Sequence, residues 1–211
     1  MIDLSNNNGA VDFRTIAAHR QFRVYLKLTE GAKFRDDTFD ARYREARNAG
    51  LIVGCYHFAR PSENSPREEA EFFLRSAPHL NTRVNMRHCL DLEDPNAKPG
   101  PAIAAWARTW LEYVRKEIGW HAILYGNTSY LGACDFGVPP AWLWLASYAR
   151  NDGREYPYVI PRPWNRRQIL AHQYASTARV PGVEGQCDIS HIFYPNLIDV
   201  RRLVTHGFRA R

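Results

Sequence analysis

Apolar, β-branched runs recur along this chain at residues 2–4, 24–28, 52–58, 88–92, 122–125, 142–146, 169–174 and 187–189, and stretches with helical periodicity separate the earlier ones. Alternation of strand and helix requires crossover connections, and these lay successive strands parallel in one sheet. Eight strands in 211 residues predict an α/β fold, an irregular (β/α)8-like barrel. Several helices should be missing or shortened in the second half, because Pro, Gly and Trp interrupt helical periodicity between Tyr125 and Asp188. Helices are predicted over 13–19, 38–49, 66–76 and 102–118, with a short one over 197–205 near the end. Ser65 followed by Pro66 and by Glu68 is a capping box with Pro at the first helical position. Gly50 and Gly119 stand where helices stop. No internal repeat or second core is evident, so one barrel domain spanning 1–211 is expected.

In such a barrel the carboxyl ends of the strands form one rim, where sites are built. Asp3 belongs to the first strand end, Lys27 and Glu30 to the second, and Tyr56 to the third. Asp91 and Glu93 end the fourth, Tyr125 the fifth, Trp144 and Tyr148 the sixth and Gln173 the seventh, while Asp188 lies in the eighth. Asp91-Leu92-Glu93 is the most telling piece, since side chains at i and i+2 of a strand share a face. Two like charges held together favour a protonated partner, and the Asp91 charge is expected to raise the pKa of Glu93. A raised carboxyl pKa suits a general acid near neutral pH. The four acids Asp3, Asp91, Glu93 and Asp188 are therefore the catalytic candidates. Aromatic faces stack on sugar rings and polar groups bond hydroxyls, so Lys27, Glu30, Tyr56, Tyr125, Trp144, Tyr148 and Gln173 are the candidate substrate contacts. Lys27 and Glu30 equally suit a structural ion pair at a turn. His57 and His172 read as hydrogen-bonded structural residues, and Trp106 and Trp110, four apart on a helix, as packing.

Net charge is +6, but the arginines are scattered and no basic stripe alternates with aromatics, so nucleic-acid binding is not expected. An anionic polymer would be drawn to the same surface. No apolar run approaches the roughly 18 residues of a membrane span. The opening Met1-Ile2-Asp3 lacks a basic segment and an apolar stretch, so cytoplasmic synthesis without a signal peptide is expected. The four cysteines show no metal-ligand spacing, and neither a metal nor an organic cofactor is expected. Strand parity turns Cys89 to the side of Asp91 and Cys55 to the opposite side, which argues against a bridge between them.

Five segments, in order, resemble the glycoside hydrolase family 25 lysozymes. They are Asp3-Leu4-Ser5 with Gly9 and Asp12-Phe13, Lys27-Leu28-Thr29-Glu30-Gly31, Gly54-Cys55-Tyr56-His57-Phe58, Asp91-Leu92-Glu93, and Pro181-Gly182-Val183-Glu184-Gly185-Gln186-Cys187-Asp188. Two departures are Leu170-Ala171-His172, where the family more often has a Trp before Gln173, and Ile189-Ser190-His191 after Asp188. The resemblance implies an irregular barrel that cleaves the β-1,4 bond between N-acetylmuramic acid and N-acetylglucosamine in peptidoglycan. It implies Glu93 as proton donor with Asp91, Asp3 and Asp188 as acidic companions. It further implies a phage endolysin-like catalytic domain, monomeric and without a separate wall-binding domain, that meets peptidoglycan glycan strands in the wall after release by a holin or by lysis. The alternatives are a catalytically inactive peptidoglycan-binding barrel, or a related glycosidase such as a chitinase.

Overall fold

The computed structural model describes residues 1–19, 23–80 and 86–195; the helix expected over 197–205 lies outside them. Strands β1 (Ile2–Leu4), β2 (Arg23–Glu30), β4 (Ile52–Phe58), β5 (Cys89–Asp91), β6 (Ile123–Asn127), β7 (Leu143–Ala146), β8 (Ile169–Ala178) and β9 (Cys187–Ile192) hydrogen-bond in a ring. The ring closes because β1 pairs with β2 on one side and with β9 on the other. The two-residue strand β3 (Phe34–Arg35) hangs outside it as a hairpin on the end of β2. Helices α1 (Phe13–Ala18), α2 (Phe39–Asn48), α3 (Pro66–Ser76) and α4 (Pro101–Ile118) fall where the sequence places them, and a short α5 (Thr128–Ala133) follows β6. Between β7 and β8 the chain forms only an irregular segment with one 3-10 turn, Arg166–Gln168. The thinning of helices in the second half is thus as expected.

One expectation is overturned. The strands are not all parallel: β9 runs antiparallel to both β8 and β1. No crossover helix separates β8 from β9, and a tight turn reverses the chain instead. Gly182 adopts φ +93° there, with Asp12 O only 2.6 Å from where a Cβ would stand, so the turn needs a glycine. Asp12 N donates to Gly182 O at 2.7 Å, and Val11 bridges Val183, which seals the turn onto the start of α1.

Strand parity sorts the apolar residues into two cores. Val24, Leu26, Leu28, Val53, Cys55, Leu90, Leu124, Leu143 and Leu145 point outward and pack under the helices with Phe73, Trp106 and Trp110. Tyr25, Cys89, Ile123, Tyr125, Trp144 and Ala171 point inward and fill the barrel. Cys55 and Cys89 fall on opposite sides, both buried free thiols. The capping box forms as read: Glu68 N donates to Ser65 Oγ at 3.3 Å and Ser65 N donates to Glu68 Oε2 at 3.1 Å. His57 faces outward, between Thr29 Oγ1 at 2.8 Å and Glu69 Oε2 at 2.7 Å, stacked on Trp110, and is a structural residue. His172 is likewise held outside, by Glu155 and Ser147 O.

The barrel interior tolerates no added volume opposite Tyr25. This ring is fully buried and its hydroxyl donates to Arg87 O at 2.7 Å, while a Cβ on Gly54 would stand 2.5 Å from its Cε1. Gly54→Ala is expected to destabilise the fold by roughly 1–3 kcal/mol through overpacking, read as a lower denaturation midpoint at unchanged m-value.

Candidate active site

The barrel's inward face ends in an open cavity of about 370 Å³ at the carboxyl rim of the parallel strands. Its lining follows from register. Asp3 on β1 lies beside Asp188 on β9, Lys27 on β2 beside Tyr56 on β4, and Phe58 on β4 beside Asp91 on β5. Asp91 in turn lies beside Tyr125 on β6, and Tyr125 beside Trp144 on β7. Antiparallel β9 enters the barrel at this rim, so its second residue, Asp188, reaches the same depth as Asp3. Glu93 stands two residues past Asp91 on backbone kept extended by Ala59 N to Asp91 O at 2.9 Å and Leu92 N to Tyr125 O at 3.0 Å. All four candidate acids therefore line one cavity, together with Lys27, Tyr56, Tyr125, Trp144 and Tyr148.

Two expected contacts are placed elsewhere. Glu30 does not line this cavity; it takes an ion pair from Lys27 on one side and from Arg60 on the other. Gln173 is buried behind the cavity wall. Its Oε1 accepts from the Tyr125 hydroxyl at 2.7 Å and from the Tyr148 hydroxyl, and its Nε2 donates to Asp3 Oδ2 at 3.0 Å. With its oxygen taking both phenol donors, the amide turns its nitrogen to Asp3. Gln173 thus links an acid to two aromatic walls and is not among the residues that line the cavity.

Five lining residues were not among the candidates: Ser5, Asn7, Phe58, Cys89 and Ser176. Parity alone points to Ser5, Phe58 and Cys89, each two residues from a candidate on the same strand or its extension. Ser176 carries no such signal, because register shifts along β8 after Gln173 break the alternation. Asn7 sits in the turn after β1, beyond the reach of parity.

Burial and crowding push all four carboxyls upward. For Glu93, burial and then the Asp188 charge raise the pKa to about 7. For Asp188 burial outweighs a hydrogen bond with Asp3 and the pKa rises to about 6. Asp3 is raised well above the carboxylate range by burial and by Asp188, against the pull of Gln173. Asp91 is raised by burial, then by the Glu93 and Asp3 charges, with Lys27 opposing. The repulsion expected between Asp91 and Glu93 from the Asp-x-Glu spacing is present. Asp188 adds a further negative charge that raises Glu93, which the spacing alone does not reveal. Asp91 Oδ1 is buried and has no hydrogen-bond partner among the described residues. Among those residues no cluster of His, Cys, Asp or Glu is arranged to hold a metal.

A barrel rim that gathers a near-neutral carboxyl, three further acids and aromatic walls is the kind of site that glycoside hydrolysis uses. The family model described as glycosyl hydrolases family 25 matches residues 2–183, and the chain belongs to that family. It is 28% identical to the autolytic lysozyme of Clostridium acetobutylicum over 189 residues, covering 89% of this chain and 54% of that protein. It is 27% identical to lysozyme M1 of Streptomyces globisporus over 198 residues, covering 89% and 65%. The crystal structure of a lysozyme from Streptomyces coelicolor superposes with a TM-score of 0.75 at 25% identity, covering 91% of this chain and 90% of that one. The chain spans between half and two thirds of the length of these two curated relatives.

The raised pKa of Glu93 has a stability consequence with a definite sign. An unfolded Glu titrates near about 4.3, whereas folded Glu93 titrates at about 7. Its contribution is therefore fully present below about pH 4 and lost as pH rises through 7. Glu93→Gln removes this loss. The variant's thermal midpoint, compared with that of the parent, should rise between pH 5 and pH 8; an equal offset at both pH values would contradict the assignment.

Proposed function

We propose that this chain hydrolyses the β-1,4 bond between N-acetylmuramic acid and N-acetylglucosamine in peptidoglycan glycan strands. The observation that carries the reading is Glu93, facing an aromatic-walled cavity with its pKa raised to about 7. At that value an appreciable fraction is protonated at neutral pH, as a general acid requires. Glu93 delivers this proton to the leaving glycosidic oxygen. Asp91, on the same cavity wall, accepts the N–H of the substrate's own 2-acetamido group and holds its carbonyl oxygen toward the anomeric carbon. The bond from the anomeric carbon to the leaving oxygen breaks as the acetamido oxygen closes on the carbon, and positive charge spreads over the sugar next to Asp3 and Asp188, whose remaining negative charge favours it. Water, giving a proton to Glu93, then opens the ring so formed and restores the acid. Tyr56, Tyr125, Trp144 and Tyr148 wall the sugar, and Tyr148, 39% exposed, stands at the mouth. Every side chain in this scheme comes from one chain, so a monomer suffices, and the substrate places the reaction at the bacterial wall. The names of the relatives, an autolytic lysozyme and lysozyme M1, support the same reading.

The inactive-barrel alternative is less favoured because the acid set is complete and its carboxyls are raised. Digestion of purified cell wall followed by identification of the new reducing end tests the bond cleaved. Muramic acid is expected; a glucosamine end would reassign the enzyme as a glucosaminidase. Glu93→Gln should keep the fold and lower the rate by about 10²–10⁴-fold. Because Glu93 must be protonated to act, activity should fall as pH rises through about 7. The Asp188 charge helps hold that pKa up, so Asp188→Asn should move the alkaline limb of the pH–rate profile to lower pH. An unmoved limb would mean that Asp188 does not tune the acid.

A further inference from the structure

A second cavity of about 360 Å³, close in size to the first, opens on the other side of the wall formed by Lys27. The partition is one layer of side chains. The Lys27 ammonium lies 5.0 Å from the centroid of Phe58, which lines the first cavity, and 5.5 Å from that of Phe34, which lines the second. Lys27 pairs with Glu30, and Arg60 grips Glu30 from the second cavity's side while also reaching Asp94 at 3.3 Å. Two cations and two carboxylates thus neutralise each other inside the wall.

What remains to meet a ligand is mixed in character. Lys33 and Glu63 are of opposite sign, and neither has an ion pair among the described residues. Asn96 is exposed, and Phe34 is 43% exposed. Gly31, at φ +54°, adds a stretch of backbone without a Cβ. A phosphate or sulfate site would show convergent cations without Glu63. A sugar subsite would show a broad aromatic platform. One ammonium, one carboxylate, an amide and an aromatic face suit a short peptide that carries both carboxylate and amine groups.

We propose that this second cavity receives the peptide carried on the lactyl ether of the muramoyl residue seated over the acids. The proposal rests on the muramidase reading. It adds a peptide subsite reached across the Lys27 wall, so the enzyme favours glycan that still bears its peptides over bare glycan.

The test compares glycan strands bearing peptides with the same strands stripped by an amidase, scored by release of reducing ends. The parent is expected to show a several-fold higher kcat/KM on the peptide-bearing strands. Lys33→Ala, which removes the unpaired cation, and Asn96→Phe, which fills the cavity from an exposed position, should each lower that value several-fold. Both should leave kcat/KM on bare strands unchanged, which also reports an intact fold. Equal kcat/KM of the parent on both substrates, or equal losses on both in the variants, overturns the peptide subsite while the muramidase reading stands. Cleavage of neither substrate by the parent overturns the muramidase reading and this proposal with it.

Discussion

Strand β9 has to run against its neighbours for the acids to meet. In the parallel strands an acid reaches the rim only at the strand's end, as Asp91 does on β5. In β9 it reaches the rim at the strand's beginning, where Asp188 sits beside Asp3 of β1. The pairing of β1 with β9 also closes the cylinder, so one reversal both completes the backbone ladder and sets two carboxyls from opposite ends of the sequence side by side. The turn that makes it possible is tightly specified. Gly182 passes so close to Asp12 O that no side chain fits, and Glu184 holds Ala10 N at 2.9 Å while a Cβ on Gly9 would stand 2.8 Å from its Oε2. A pair of glycines outside the cavity lining thereby helps set where Asp188 stands.

Within a short span of the rim, carboxyls occupy two opposite electrostatic settings. Inside the cavity, burial and mutual repulsion raise Asp3, Asp91, Glu93 and Asp188. Just outside it, burial also pushes Glu30 and Asp94 upward, but Lys27 and Arg60 for Glu30, and Ser62, Asn96 and Arg60 for Asp94, more than reverse the push. The cation that reaches the cavity, Lys27, has its charge drawn off by Glu30, so it moderates Asp91 without discharging the group of acids. Removing charge from water without a partner favours the neutral acid, and here that preference raises four carboxyls around one cavity.

Most of the fold and most of the site were legible because they rest on local rules. Period-2 parity put Asp91 and Glu93 on one face and turned Cys55 away from Cys89, and the Ser65–Glu68 box and the glycine stops marked helix ends. Three things were not legible, each for a non-local reason. The direction of β9 depends on a turn whose shape is set by contact with Asp12 and Ile16, more than a hundred residues earlier. The Lys27–Glu30 ion pair was one of the two readings of its turn, but the second grip on Glu30, from Arg60, comes from a different strand end. Gln173 shares the inward face with the acids, as parity predicts, yet two phenols and Asp3 consume its hydrogen-bonding groups, so it stands behind the wall instead of in it.

Trp144 offers a different kind of consequence. Its indole is almost wholly buried, with Tyr25 and Tyr125 each 5.0 Å away between ring centroids, yet it forms part of the cavity lining. Its Nε1 donates to Ser190 Oγ on β9 at 3.0 Å. One chromophore is therefore attached both to the seam of the cylinder and to the space a sugar would occupy. In a variant that keeps Trp144 as its one tryptophan out of six, emission would gauge both, since a seated ring and a loosened seam change the surroundings of the same indole from opposite sides.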